Sequence, residues 1–159
     1  MQAPKTVIYG PMINNSQLVN QIQEQIKKYK GMLKVKKELL VITERLQQPR
    51  QVGKEYIILN ADSFHLRSGN YFNSEAENLF YYSCFTDNLI IYAQLKQKQP
   101  TVYKKDSNLV LFDGTDNLPL VASNEVQVNN LANALFIIAV GFIAGLPFYI
   151  IRRIVKEIE

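Results

Sequence analysis

The chain has a single cysteine, Cys84, and a single histidine, His65. One cysteine cannot form an internal disulfide framework, and one of each falls short of the ligand set of a structural zinc site. Neither a GxxxxGK[ST] phosphate loop nor a GxGxxG turn occurs, so the two commonest nucleotide motifs are missing. The opening "MQAPKTVIYGPMINN" lacks the basic-then-apolar order of a secretory signal and the Arg/Ser-rich character of a transit peptide. Targeting information is therefore expected elsewhere in the chain. No repeat or low-complexity block appears. Charge is also missing from one long stretch, because no Asp, Glu, Lys or Arg lies between Val126 and Ile151.

The composition that remains is ordinary for a folded chain of 159 residues, with 47% hydrophobic residues and a formal net charge of +4. That charge fits contact with an anionic lipid or an acidic partner and is too small to argue for nucleic acid. Residues 1–15 read as an N-terminal arm. Residues 16–48 read as a helical region: Ser16 can cap, and Leu18, Ile22, Ile26, Tyr29 and Leu33 recur at helical spacing. Leu39, Leu40, Ile42 and Leu46 extend that apolar face up to Pro49. Within it, "KKYKGMLKVKK" carries Lys27, Lys28, Lys30, Lys34, Lys36 and Lys37 without an acidic residue. A solvated face is the plain account, and contact with anionic lipid headgroups such as cardiolipin is the functional one.

Residues 54–127 read as a small α+β segment. "EYIILN" from Glu55 has strand composition. Residues 75–96 read as a helix opened by a Ser74/Glu77 capping box, with "NLIIYAQL" as the alternative strand. "TVYKK" and "NLVLFDGTDNLPLVAS" read as a hairpin turning at Asp113–Gly114. The segment offers little chemistry. His65 in "DSFHLRS" has acidic and hydroxyl neighbours in sequence, but a catalytic triad is a spatial arrangement. Cys84 lies among Phe80, Tyr81, Tyr82 and Phe85, surroundings that suit a small buried hydrophobe rather than an activated thiol. "DGTDN" lacks the twelve-residue calcium-loop pattern. The chain is accordingly expected to be non-catalytic, with no metal, no directly bound cofactor and no small-molecule substrate.

The C-terminal stretch is the most distinctive. Ala134 to Ile151, "ALFIIAVGFIAGLPFYII", shows no polar face, and with Leu131 to Asn133 it is long enough to cross a hydrocarbon core of about 30 Å. A transmembrane helix over 131–153 is expected, with a charged tail at 154–159. Gly141 and Gly145 would form a GxxxG packing strip. Tyr149, Arg152, Arg153 and Lys156 would stand at the membrane interface. The fold class expected is mainly α: a helical region, a small α+β segment and one terminal span. A buried central helix is the alternative reading of the same residues.

"VGFIAGLPFYIIRRIVK" (Val140 to Lys156) resembles the single span of the cytochrome c oxidase subunit VIIc family and its fungal equivalent, subunit VIII. The resemblance rests on Gly141, Pro147, Phe148, the Tyr149-Ile150-Ile151 run, Arg152 and Lys156. It covers only the span, so the chain would be a strongly N-terminally extended member. It implies a structural subunit of a mitochondrial inner-membrane respiratory complex, which binds neighbouring subunits and lipid and holds no haem or copper. It also implies a matrix N-terminal domain, whereas the basic tail places the tail in the matrix or cytosol. A tail-anchored adaptor that recruits a soluble partner is the second reading.

Overall fold

The structure, a computed structural model, describes residues 5–9, 16–33, 39–43, 53–62, 79–126 and 131–158. It overturns the mainly-α expectation. Among the described residues seven strands form one sheet: β1 (Lys5–Tyr9), β2 (Leu39–Thr43), β3 (Gly53–Asn60), β4 (Leu79–Ser83), β5 (Thr101–Lys105), β6 (Asn108–Phe112) and β7 (Asn117–Ala122). Their order across the sheet is β2-β1-β3-β4-β5-β6-β7. The first five run parallel, and β6 and β7 add an antiparallel hairpin to β5.

Helix α1 (Ser16–Leu33) connects β1 to β2, and α2 (Leu89–Lys96) connects β4 to β5. The first crossover moves one way along the sheet and the second the other way. Right-handed crossovers then put the two helices on opposite faces, and the packing agrees. Leu18, Val19, Ile22, Ile26 and Tyr29 of α1 share a core with Ile58, Phe80, Tyr82, Val102, Leu109 and Leu111. Ile91 of α2 packs on the other face with Ala61, Tyr103, Val110 and Phe112. The helical spacing read from Leu18, Ile22, Ile26 and Tyr29 is thus the buried stripe of α1.

Three secondary-structure expectations change. Leu39–Thr43 is a strand rather than a continuation of the first helix. Within 75–96, the described first part is strand β4 and "LIIYAQLK" is helix α2, the reverse of the alternative considered. Residues 5–9 of the supposed arm form β1, between β2 and β3. These parallel strands are short apolar runs, and such runs do not differ in periodicity from a piece of buried helix. The strand at Glu55 and the hairpin turning at Asp113–Gly114 stand as read.

The transmembrane helix is the largest correction. The apolar run forms two helices, α3 (Leu131–Ile143) and α4 (Phe148–Glu157). No helix among the described residues is long and apolar enough to cross a membrane. Gly145, at φ +78°, ends α3. Its N–H donates to the Phe142 carbonyl at 3.0 Å and the Leu146 N–H to the Gly141 carbonyl at 3.1 Å. Those two bonds are a Schellman cap, for which glycine is the favoured residue. Pro147 then starts α4, its carbonyl accepting from the N–H groups of Ile150 and Ile151.

The two helices fold back on each other at Gly141, where an added Cβ would lie 2.9 Å from Ile151 Cγ1. The glycines expected to serve association between membrane helices therefore serve an intramolecular crossing and a turn. The want of a polar face has a local cause too. Every residue of α3 from Ala134 to Gly141 is buried, in one core with sheet residues, α1 and the apolar face of α4. Each fully buried large side chain there contributes about 1.5–3 kcal/mol. Protein, not lipid, surrounds this helix.

Candidate ligand site at the carboxyl edge of the sheet

The strand order reverses between β1 and β3, since β1 leads to β2 on one side and has β3 on the other. In open α/β sheets the crevice beyond the carboxyl ends at such a reversal is where ligands bind. The helices add to this edge. α1 starts where β1 leaves the sheet, and α2 starts beyond β4. Lys156 Nζ, near the end of α4, lies 3.4 Å from Glu125 Oε2, just past the end of β7. α3 runs opposite to α4 in their hairpin, so its N-terminus also opens on this edge. Three helix N-termini thus open on this edge with their partial positive charge, and the C-terminus of α4 brings the opposite sign near the end of β7.

The side chains at that rim are polar and tied together. Asn60 Oδ1 accepts from the Asp62 N–H at 3.0 Å, turning the chain as β3 ends. Asp62 Oδ1 accepts from Ser83 Oγ at 2.6 Å and from Asn88 Nδ2 at 3.0 Å, while Oδ2 accepts from the Cys84 N–H at 2.7 Å. Asn88 Nδ2 also donates to the Ala61 carbonyl at 2.9 Å. Its Oδ1 caps α2 by accepting from Ile90 and Ile91 N–H. Ser83 Oγ accepts from the Phe85 N–H at 2.9 Å. Thr86 Oγ1 donates to the Lys104 carbonyl at 2.7 Å, joining the loop after β4 to the end of β5.

Two of the three buried polar residues among those described, Ser83 and Asn88, belong to this tie. Buried polar groups survive where their partners are complete, and here one carboxylate completes them. The arrangement gives no nucleophile. Ser83 is fully buried and its single proton goes to Asp62, the charged acceptor. Burial pushes the Cys84 thiol above its ordinary 9.0, and Asp62 pushes it further, against an opposing pull from Lys104. Burial likewise raises the Tyr82 phenol, with Cys84 and Asp62 adding to the effect. No cluster able to hold a metal ion occurs among the described residues.

Sequence reading met Asp62 only as a neighbour of His65 in a rejected triad, and did not single out Ser83 or Asn88. A signal existed in "NADS" and "SCFTDN", two polar clusters directly after apolar runs. It becomes meaningful only once both runs are adjacent parallel strands. His65 lies outside the described residues. Cys84 is half-buried and packs against the larger core, close to its expected role.

The residues expected to serve a membrane are not brought together at this rim. Gly141 and Gly145 shape the α3–α4 turn. Phe148 and Tyr149 are exposed on α4, as are Arg152 and Arg153, and Lys156 pairs with Glu125. Lys27 and Lys28 are exposed on α1, with Lys28 Nζ 5.3 Å from the Tyr29 ring centre. Lys30 lies in α1 without a described side chain, and Lys34, Lys36 and Lys37 fall outside the described residues. No protein-family model matches the chain, and no curated protein is significantly similar to it.

Proposed function

We propose that the chain is a binding domain that takes a small phosphate-bearing ligand of nucleotide size at the carboxyl edge of its sheet. The observation that supports it is the placement of Asn60 and Asp62 at the end of β3, which borders the reversal of strand order, with Thr86 and Lys104 one and two strands further along the same edge. Doubly wound sheets hold nucleotides at this edge, an analogy of fold that makes nucleotides the first ligands to try. Binding is the role proposed because, among the described residues of this edge, the buried Ser83 hydroxyl and the raised Cys84 thiol offer no activated group. This departs from the sequence expectation of no small-molecule partner. The respiratory-subunit reading, the mitochondrial placement and the lipid contact all rest on a span, and no separate observation supports them.

Thermal unfolding with adenosine, AMP, ADP and ATP tests the proposal. A ligand at about a hundred times its dissociation constant adds about 2.7 kcal/mol, and the expected rise in Tm is about 5–10 °C for a chain of this size. No saturable shift with any of them at millimolar concentration overturns it.

A second reading has one observation in its favour. Phe85, Leu89 and Tyr92 are large, apolar and exposed, at 54%, 82% and 63%, on and just before α2. A non-catalytic subunit of a larger assembly would use such a patch as its contact. The uncharged Leu89→Ser would then lower the assembled mass measured by light scattering and leave ligand-induced stabilisation unaltered.

A further inference from the structure

We propose that Lys104 is the cationic contact for the anionic part of the ligand, and that it sets the preference of the site for charged over neutral ligands; this rests on the ligand-site reading above. Side chains alternate between faces along a strand, and the regular pairing of β5 with β6 keeps that alternation intact. Val102 belongs to the core under α1 and α3, and Tyr103 to the core under α2. Lys104 therefore leaves β5 on the Val102 face, and Lys105 on the other.

That is also the face of Cys84, which packs against the larger core, and of α1 and α3, whose N-termini open at the same rim. The register of β4 with β5 sets Ser83 opposite Tyr103, so Cys84 and Lys104 follow on adjacent strands, and Lys104 acts on the thiol in the sense that lowers its pKa. Lys104 is half-buried at the rim, and among the described residues it forms no ion pair. Asp62, the obvious partner, has its oxygens taken by Ser83, Asn88 and the Cys84 N–H, all neutral donors. Asp87 and Asp106 also lie in the loops that leave β4 and β5 at this edge, both exposed, and neither pairs with Lys104. A half-buried ammonium that pairs with no described carboxylate favours an incoming anion, and this one stands on the same edge as the crevice, two strands along from β3. Exposed Lys105, on the opposite face, makes a control of equal charge.

Titration calorimetry of the full chain with adenosine, AMP and ADP tests this. The wild type is expected to bind AMP and ADP at least about tenfold more tightly than adenosine, the size of one charge-assisted contact. Lys104→Gln is expected to bring the three affinities together without weakening adenosine. Lys104→Arg is expected to restore the preference, and Lys105→Gln to leave it unchanged. Salt should weaken AMP binding to the wild type and spare adenosine. If the wild type binds none of the three, the ligand-site reading falls and Lys104 with it. If it binds them without preference, or Lys104→Gln keeps the preference, only the role of Lys104 is overturned.

Discussion

Asp62 shows how one side chain can join three elements. Two residues past β3, its carboxylate holds Ser83 and the Cys84 amide at the end of β4, and steadies the Asn88 that caps α2. The same neighbourhood governs Cys84. Burial is the larger influence on the thiol and Asp62 adds to it, so the thiolate form is scarcer than in a free cysteine at the same pH. Alkylation by iodoacetamide at pH 8 should be slower in the native protein than in the denatured chain. The native rate should keep rising with pH beyond the ordinary value of 9.0. Lys104→Gln removes the one influence that lowers this pKa, and should slow native alkylation further. A native rate equal to the denatured one would show that the thiol is not held as described. The sequence shows Cys84 among aromatics, and from this its inertness could be read. The opposed effects of Asp62 and Lys104 could not, since those residues are 22 positions before it and 20 after it and meet only through the sheet.

At the scale of elements, the C-terminal run carries the sharpest lesson. Its composition suits a lipid-facing helix, and two residue positions redirect it. Gly145 takes a left-handed conformation, with no atom within 4 Å of an added Cβ, so backbone strain alone opposes a side chain there. Gly145→Ala should cost about 1–2 kcal/mol in urea unfolding, and Gly145→Asn less, because Asn enters that conformation more readily. At Gly141 the obstacle is steric. Gly141→Ala should cost about 1–3 kcal/mol from overpacking against Ile151. Combined with Ile151→Ala, which removes the clashing atoms, it should cost less than the sum of the two single variants. Equal losses for Ala and Asn at 145, or strict additivity of the pair, would contradict the Schellman turn and the close crossing. Gly-x-x-x-Gly-x-Pro is visible in the sequence. Whether the second glycine continues a helix or ends one is decided by what the following residues find to pack against.

For the whole molecule, α3 is the innermost element, with the sheet on one side and α1 and α4 completing its enclosure. Its amides from Ala134 to Gly141 should exchange with deuterium only through global unfolding, and more slowly than those of α2, whose outer face is exposed. Fast exchange along α3 would mean that the enclosure is incomplete. The sequence by itself determined the stripe of α1, the strand at Glu55 and the β6–β7 hairpin. Each is a local pattern of periodicity, turn chemistry or composition, and neighbours in sequence are enough to express it. Tertiary structure decided the rest. It sorted apolar runs of equal hydrophobicity into parallel strands and buried helix, replaced lipid with protein around α3, and assembled Asp62, Ser83, Asn88 and Lys104 at one rim. The physical reason is that burial is not directional. An apolar segment specifies that it must be covered, and only the positions of the other segments settle what covers it.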